Sequence, residues 1–185
     1  MYKSTHAAAA AAVLALAVAV LAPAATASAA PASAPAVSLT PTLVCLGSTT
    51  SSYAPGVTNQ ARNVRVDGRS TFAPCVGTPA GYTAAASTTF TSSLSCTNLL
   101  QQTTGTKTIS WSKGGASTFS YTRSATRNAL TTVITFTGTI SGGQFARSTV
   151  VETATALNTD LASCQTTGLT TLGFAEQLVV TGVSA

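Results

Sequence analysis

The sequence predicts an all-β domain, an antiparallel β-sandwich of about eight to ten strands carrying two disulfides. Three observations lead there. Apolar residues after Val37 recur with a period of two, the period of a strand with one buried face. Gly, Pro, Asp and Asn interrupt these runs at short intervals and mark turns. Four cysteines, Cys45, Cys75, Cys96 and Cys164, follow a segment patterned for export, where an even count reads as disulfides.

The elements follow in chain order. Residues 1–29 read as a signal peptide: Lys3 supplies the positive start, Ala7–Leu21 has no polar side chain, and Ala22–Ala29 is a small-residue stretch with A-x-A sites. Cleavage is expected after Ala29. The apolar run is too short for a transmembrane anchor, which needs about twenty residues. The expected product is therefore secreted, with no membrane attachment after signal removal. Residues 30–36 (APASAPA) form a Pro/Ala linker, and residues 37–185 form one domain.

Within that domain, Val37, Leu39, Leu43 and Cys45 share one strand face. Tyr53-Ala54-Pro55-Gly56 fits a type II turn. Val64 and Val66 alternate with Asn63 and Arg65, and Asp67-Gly68 closes that strand. Phe90, Leu94 and Cys96 share a face, as do Ile109 and Trp111. Gly114-Gly115 turns the chain into Phe119 and Tyr121. Leu130, Ile134, Phe136 and Ile140 line what reads as the longest strand, and Ser141-Gly142-Gly143 turns out of it. Asn158–Ser163 fits a single helical turn with Asn158 as its cap. Leu172, Phe174, Leu178 and Val180 form the last strand. Many short antiparallel strands with Thr-rich outer faces fit a sandwich that is loosely immunoglobulin-like.

Four cysteines allow three pairings. Cys45–Cys75 with Cys96–Cys164 is preferred, because it makes two cross-links that do not interlock. Chain entropy assigns the two loops about 3.5 and 4.5 kcal/mol. That help matters, since Leu, Ile, Val and Phe number 33 from Ala30 onward, a thin supply for a core.

The elements Val44-Cys45-Leu46-Gly47, Tyr53-x-Pro55-Gly56, Pro74-Cys75, Leu94-Ser95-Cys96, Ile109-Ser110-Trp111-Ser112-x-Gly114 and Gly143-x-Phe145 resemble a family of small secreted actinobacterial proteins, Ser/Thr-rich and four-cysteine. The resemblance implies an exported all-β domain and carries no assigned activity or catalytic residue. The composition is also similar to that of the enediyne-binding apoproteins, two-disulfide sandwiches whose bridges close shorter loops.

Composition excludes several chemistries. The single His is His6, inside the export segment, so the domain has no Ser-His-Asp triad, no Cys-His pair and no imidazole metal site. No cofactor motif is present. Eight Lys and Arg against four Asp and Glu leave a net charge of +4 after residue 29, too dispersed for nucleic-acid binding. The carboxylates are Asp67, Glu152, Asp160 and Glu176. Glu152 and Glu176 fall on late strands and form the one pair that could serve a glycosidase, but all four read as surface charges. The protein is expected to be non-catalytic.

Two roles remain: a structural or surface-interaction protein, and a small module binding a carbohydrate, an apolar metabolite or a partner protein. Tyr53 and Tyr82, near turns, are the candidate sugar-stacking residues. Trp111 shares parity with Ile109 and is expected in the core against a disulfide. Arg62, Arg65 and Arg69 could meet an anionic cell-wall polymer, although scattered arginines equally keep a charge-poor protein in solution.

Overall fold

The computed structural model describes residues 42–183; the expected signal peptide and its cleavage site, the expected linker and the start of the expected first strand lie outside them. Eight strands follow one another: β1 (Thr42–Val57), β2 (Arg62–Gly77), β3 (Ala84–Leu94), β4 (Thr103–Trp111), β5 (Gly115–Arg127), β6 (Thr131–Gly143), β7 (Thr149–Leu157) and β8 (Leu169–Thr181). A short helix α1 (Asn158–Leu161) and a 3₁₀ turn (Ala162–Gln165) separate the last two.

The architecture corrects the expected sandwich. Each strand pairs antiparallel with its sequence neighbour, and β1 pairs with β8, so the sheet closes into a barrel. Closure rests on a long ladder from Thr42↔Thr181 to Ser52↔Thr171. Period-two alternation is common to sandwiches and barrels. The distinguishing feature is the pairing of the first strand with the last; strand lengths also differ from expectation, because two expected turns are strand interior. Tyr53–Gly56 belongs to β1, where Pro55, lacking an N–H, falls in the break of the β8 ladder between Ser52 and Val57. Asp67-Gly68 lies mid-strand, paired with Ser52 and Ser51 of β1. β1 and β2 consequently run 16 residues each and exceed β6. The Gly114-Gly115 turn stands as expected, both residues taking positive φ of 90° and 103°. The turn after β6 starts later than expected, at Gln144.

Asn158 begins α1 but caps nothing. Its side chain instead accepts from Arg127 Nε and Thr132 Oγ1 and donates to the Asn128 carbonyl, tying α1 to the β5–β6 turn.

Inward residues form two apolar clusters. One contains Leu43, Phe72, Ile109, Trp111, Phe119 and Leu178, with Cys45 and Cys75. The other contains Tyr53, Val64, Val66, Ile134, Leu172 and Phe174, with Leu161 of α1 and Cys164. The disulfides are Cys45–Cys75 and Cys96–Cys164, the preferred pairing, one at each cluster. Among the described residues no helix is long and apolar enough to cross a membrane.

Candidate functional site: a polar belt and a side opening

Between the two clusters the inward positions become polar. β1 contributes Thr49 and Ser51, β2 Gly68 and Ser70, β4 Lys107, β5 Tyr121 and Arg123, β7 Glu152, and β8 Glu176. The alternation that buries Ile109 and Trp111 also buries Lys107; that which buries Val150 and Ala154 buries Glu152; that which buries Phe174 and Leu178 buries Glu176. Parity therefore corrects the expectation that these carboxylates are surface charges: Glu152 is 0% and Glu176 7% exposed. Asp160 is exposed, and Asp67 sits at the surface in an ion pair with Arg65, Nε to Oδ2 2.9 Å.

Lys107 Nζ donates to Glu152 Oε1 across the lumen and lies 4.5 Å from the Phe136 ring centroid. Glu176 lies beside this pair. Burial is the main cause that pushes its carboxyl up to about 7, and the charge of Glu152 adds to it. Lys107 and the hydroxyls of Thr49 and Ser70, which bond each other, offset part of the rise. Glu152 Oε2 and Glu176 Oε2 are the two buried side-chain polar atoms without a hydrogen-bond partner among the described residues.

The belt faces a cavity of about 200 Å³. Its apolar wall includes Val66, Ile134, Phe136 and Phe174. Two inward glycines keep space free. A Cβ on Gly68 would stand 2.8 Å from Thr88 Oγ1, and one on Gly105 would stand 2.8 Å from the Tyr121 hydroxyl.

The barrel wall is open on one side. β3 pairs with β4 only from Ala84↔Trp111 to Ser87↔Thr108. Beyond that, Thr88–Leu94 and Thr103–Lys107 share no ladder, whereas β3 remains paired with β2 as far as Leu94↔Arg62. Phe90, 49% exposed, stands at this opening and lines the cavity. The loop 95–102 bridges the gap. The Cys96–Cys164 disulfide anchors it on one side. Arg123 anchors it on the other, Nη2 donating to the Leu99 carbonyl at 2.9 Å and Nη1 to the Gln101 carbonyl at 3.4 Å. Burial lowers the Arg123 pKa, and raises those of Tyr53 and Tyr121.

The structure separates the two tyrosine candidates. Tyr53 is buried and lines the cavity. Tyr82 is half-buried and stacks edge-on against Trp111 and Phe145 in the other cluster. Trp111 is buried, with its indole N–H donating to Ser117 Oγ at 2.8 Å. Arg62, Arg65 and Arg69 lie on β2, outside the lumen. Sequence reasoning passed over Lys107, Phe90 and Arg123 as site residues; the parity of Gly105, Lys107, Ile109 and Trp111 was the signal that places Lys107 inside. Among the described residues, no group of three His, Cys, Asp or Glu could hold a metal ion.

No protein-family model matches the chain, and no curated protein or solved structure is significantly similar to it.

Proposed function

We propose that this chain is an exported, non-catalytic binding protein that takes one small, mainly apolar molecule into its barrel. The observation carrying this reading is the partly unpaired β3–β4 seam, which connects a lumen cavity to the surface beside Phe90. An eight-stranded barrel either fills its interior with side chains or holds one small ligand. This interior is filled at both clusters and left with about 200 Å³ between them. A cavity of about 150 Å³ accepts benzene, so this one suits a body of roughly ten non-hydrogen atoms. The absence of an exposed row formed by Tyr53, Tyr82 and Trp111 speaks against stacking on a polysaccharide. Export fits the two disulfides and the Ala7–Leu21 run; protein from culture medium should begin at Ala30 by intact mass.

The test is binding of propylbenzene, followed by NMR shifts of the cavity residues. Shifts should concentrate on Phe90, Val66, Ile134 and Phe174. Gly68→Leu, which puts a side chain into the cavity, should abolish them while the fold persists. Absence of any saturable shift in the wild-type protein would overturn the reading.

A further inference from the structure

The cavity carries chemistry that a purely apolar guest would not use. Its cationic groups are committed: Lys107 to Glu152 Oε1 and the ring of Phe136, Arg123 to the carbonyls of Leu99 and Gln101. The unsatisfied buried atoms, Glu152 Oε2 and Glu176 Oε2, are both carboxylate oxygens, and both residues line the cavity. A buried charged acceptor without a partner is costly, and an ionised donor satisfies it best. An ammonium group offers three donors on one compact charge. The aromatic and aliphatic wall accepts the rest of such a molecule.

We propose that the cavity selects a small apolar molecule bearing a protonated primary amine, its ammonium group seated on the free carboxylate oxygens of Glu176 and Glu152. This rests on the reading of the barrel as a binding protein. An arylalkylamine has the fitting shape, with its ring toward Phe90 and Phe174 and its amine toward the belt.

The inference has a pH signature. The inward titratable or charged groups around Glu176 are Tyr53 on β1, Lys107 on β4, Tyr121 and Arg123 on β5, and Glu152 on β7; β2, β3 and β6 present none to the lumen. Burial and Glu152 bring Glu176 close to neutrality. Below that range the carboxyl holds a proton that the incoming ammonium must displace. Amine affinity then falls about tenfold for each pH unit below about 6, with one proton released per amine bound.

Three probes of similar size decide the matter at pH 8: phenethylamine, propylbenzene and phenylacetate, measured by calorimetry. Phenethylamine should bind at least about tenfold tighter than propylbenzene, a difference of one charge-assisted contact. Phenylacetate should bind weakest. Glu176→Gln should remove the amine preference and its pH dependence. The wild-type pH profile tests the same point without a variant: amine affinity falls on acidification and propylbenzene affinity stays flat. Propylbenzene or phenylacetate binding as tightly as the amine, or a flat amine profile, overturns the amine site and leaves the binding barrel standing. Failure of all three probes overturns the binding barrel itself, and the amine site with it.

Discussion

Lys107 on β4 and Glu152 on β7 meet across the barrel lumen, both almost fully buried and joined by a direct ion pair. Desolvating two charges costs much of what their attraction returns, so the pair is weak evidence of net stability. Breaking it is another matter. Lys107→Met should cost about 3–5 kcal/mol, because Glu152 then stays buried without its cation beside Glu176. The double variant Lys107→Met/Glu152→Leu should recover most of that loss. Urea denaturation of the two variants and the wild type measures both. Equal destabilisation of the single and double variants would show that packing, and not charge, dominates.

Glu176 should make the protein less stable as pH rises toward neutrality. Its folded pKa of about 7 lies above the ordinary 4.5. The folded state therefore holds a proton more tightly than the unfolded chain. The resulting stabilisation is fully present below about pH 4.5 and is lost as pH rises through about 7. A shift of that size corresponds to about 3 kcal/mol. Asp67 acts in the opposite sense and at lower pH: Arg65 first and Thr89 next lower its pKa from 3.8, so its contribution is lost only as pH falls below that value. Thermal melts from pH 4.5 to 8 should show a decline that Glu176→Gln flattens.

The strand content was legible because alternation is local, whereas closure was not. Whether the strand near Cys45 pairs with the one near Val180 depends on contacts between opposite ends of the domain, and nothing in either segment encodes them. Pro55 and Asp67-Gly68 suggested turns because both are breakers in isolation; in the barrel, Pro55 falls in a ladder break and Asp67 faces outward. The belt was partly legible. Glu152 shares parity with Val150 and Ala154, and Glu176 with Phe174 and Leu178, so alternation alone puts them inside. Their rarity as buried residues pointed the other way. The opening was not legible, since it depends on β3 leaving β4 after Ser87.

The Cys96–Cys164 bridge should control the opening more than the Cys45–Cys75 bridge does. It fixes loop 95–102 beside the unpaired seam, while Cys45–Cys75 joins strands already held by the β1–β2 ladder. Cys96→Ala/Cys164→Ala should lower stability by about 2–5 kcal/mol. It should also speed amide exchange at Asn98, Leu99 and Gln101, whose N–H groups hold the loop turn. Cys45→Ala/Cys75→Ala should leave those amides slow. Matching exchange in the two variants would mean that Arg123 and the loop's own hydrogen bonds secure it without the bridge. In the wild-type protein, thiol titration under denaturing conditions should read zero.

Trp111 gives a reporter of the apolar cluster that is independent of the cavity. Its ring packs edge-on against Phe145 at 5.0 Å and Tyr82 at 6.1 Å, and it does not line the cavity. Its indole N–H is satisfied by Ser117 Oγ, which donates in turn to the Gln144 carbonyl. As the only Trp, it should emit at short wavelength and resist acrylamide. Trp111→Ala should cost about 3–5 kcal/mol through the cavity it leaves. Ser117→Ala removes little volume but strands a buried N–H, at about 1–3 kcal/mol. Trp111→Phe keeps much of the packing, needs no acceptor, and should fall below Trp111→Ala in cost. The decisive comparison is the double variant Trp111→Phe/Ser117→Ala. If the hydrogen bond is what Ser117 provides, its loss should add little once the indole is gone. If the two substitutions are additive, Ser117 instead stabilises the turn through Gln144. Propylbenzene affinity should be unchanged in Trp111→Phe, because the ring lies outside the cavity wall; a tenfold loss would place the ligand at the wrong end of the barrel.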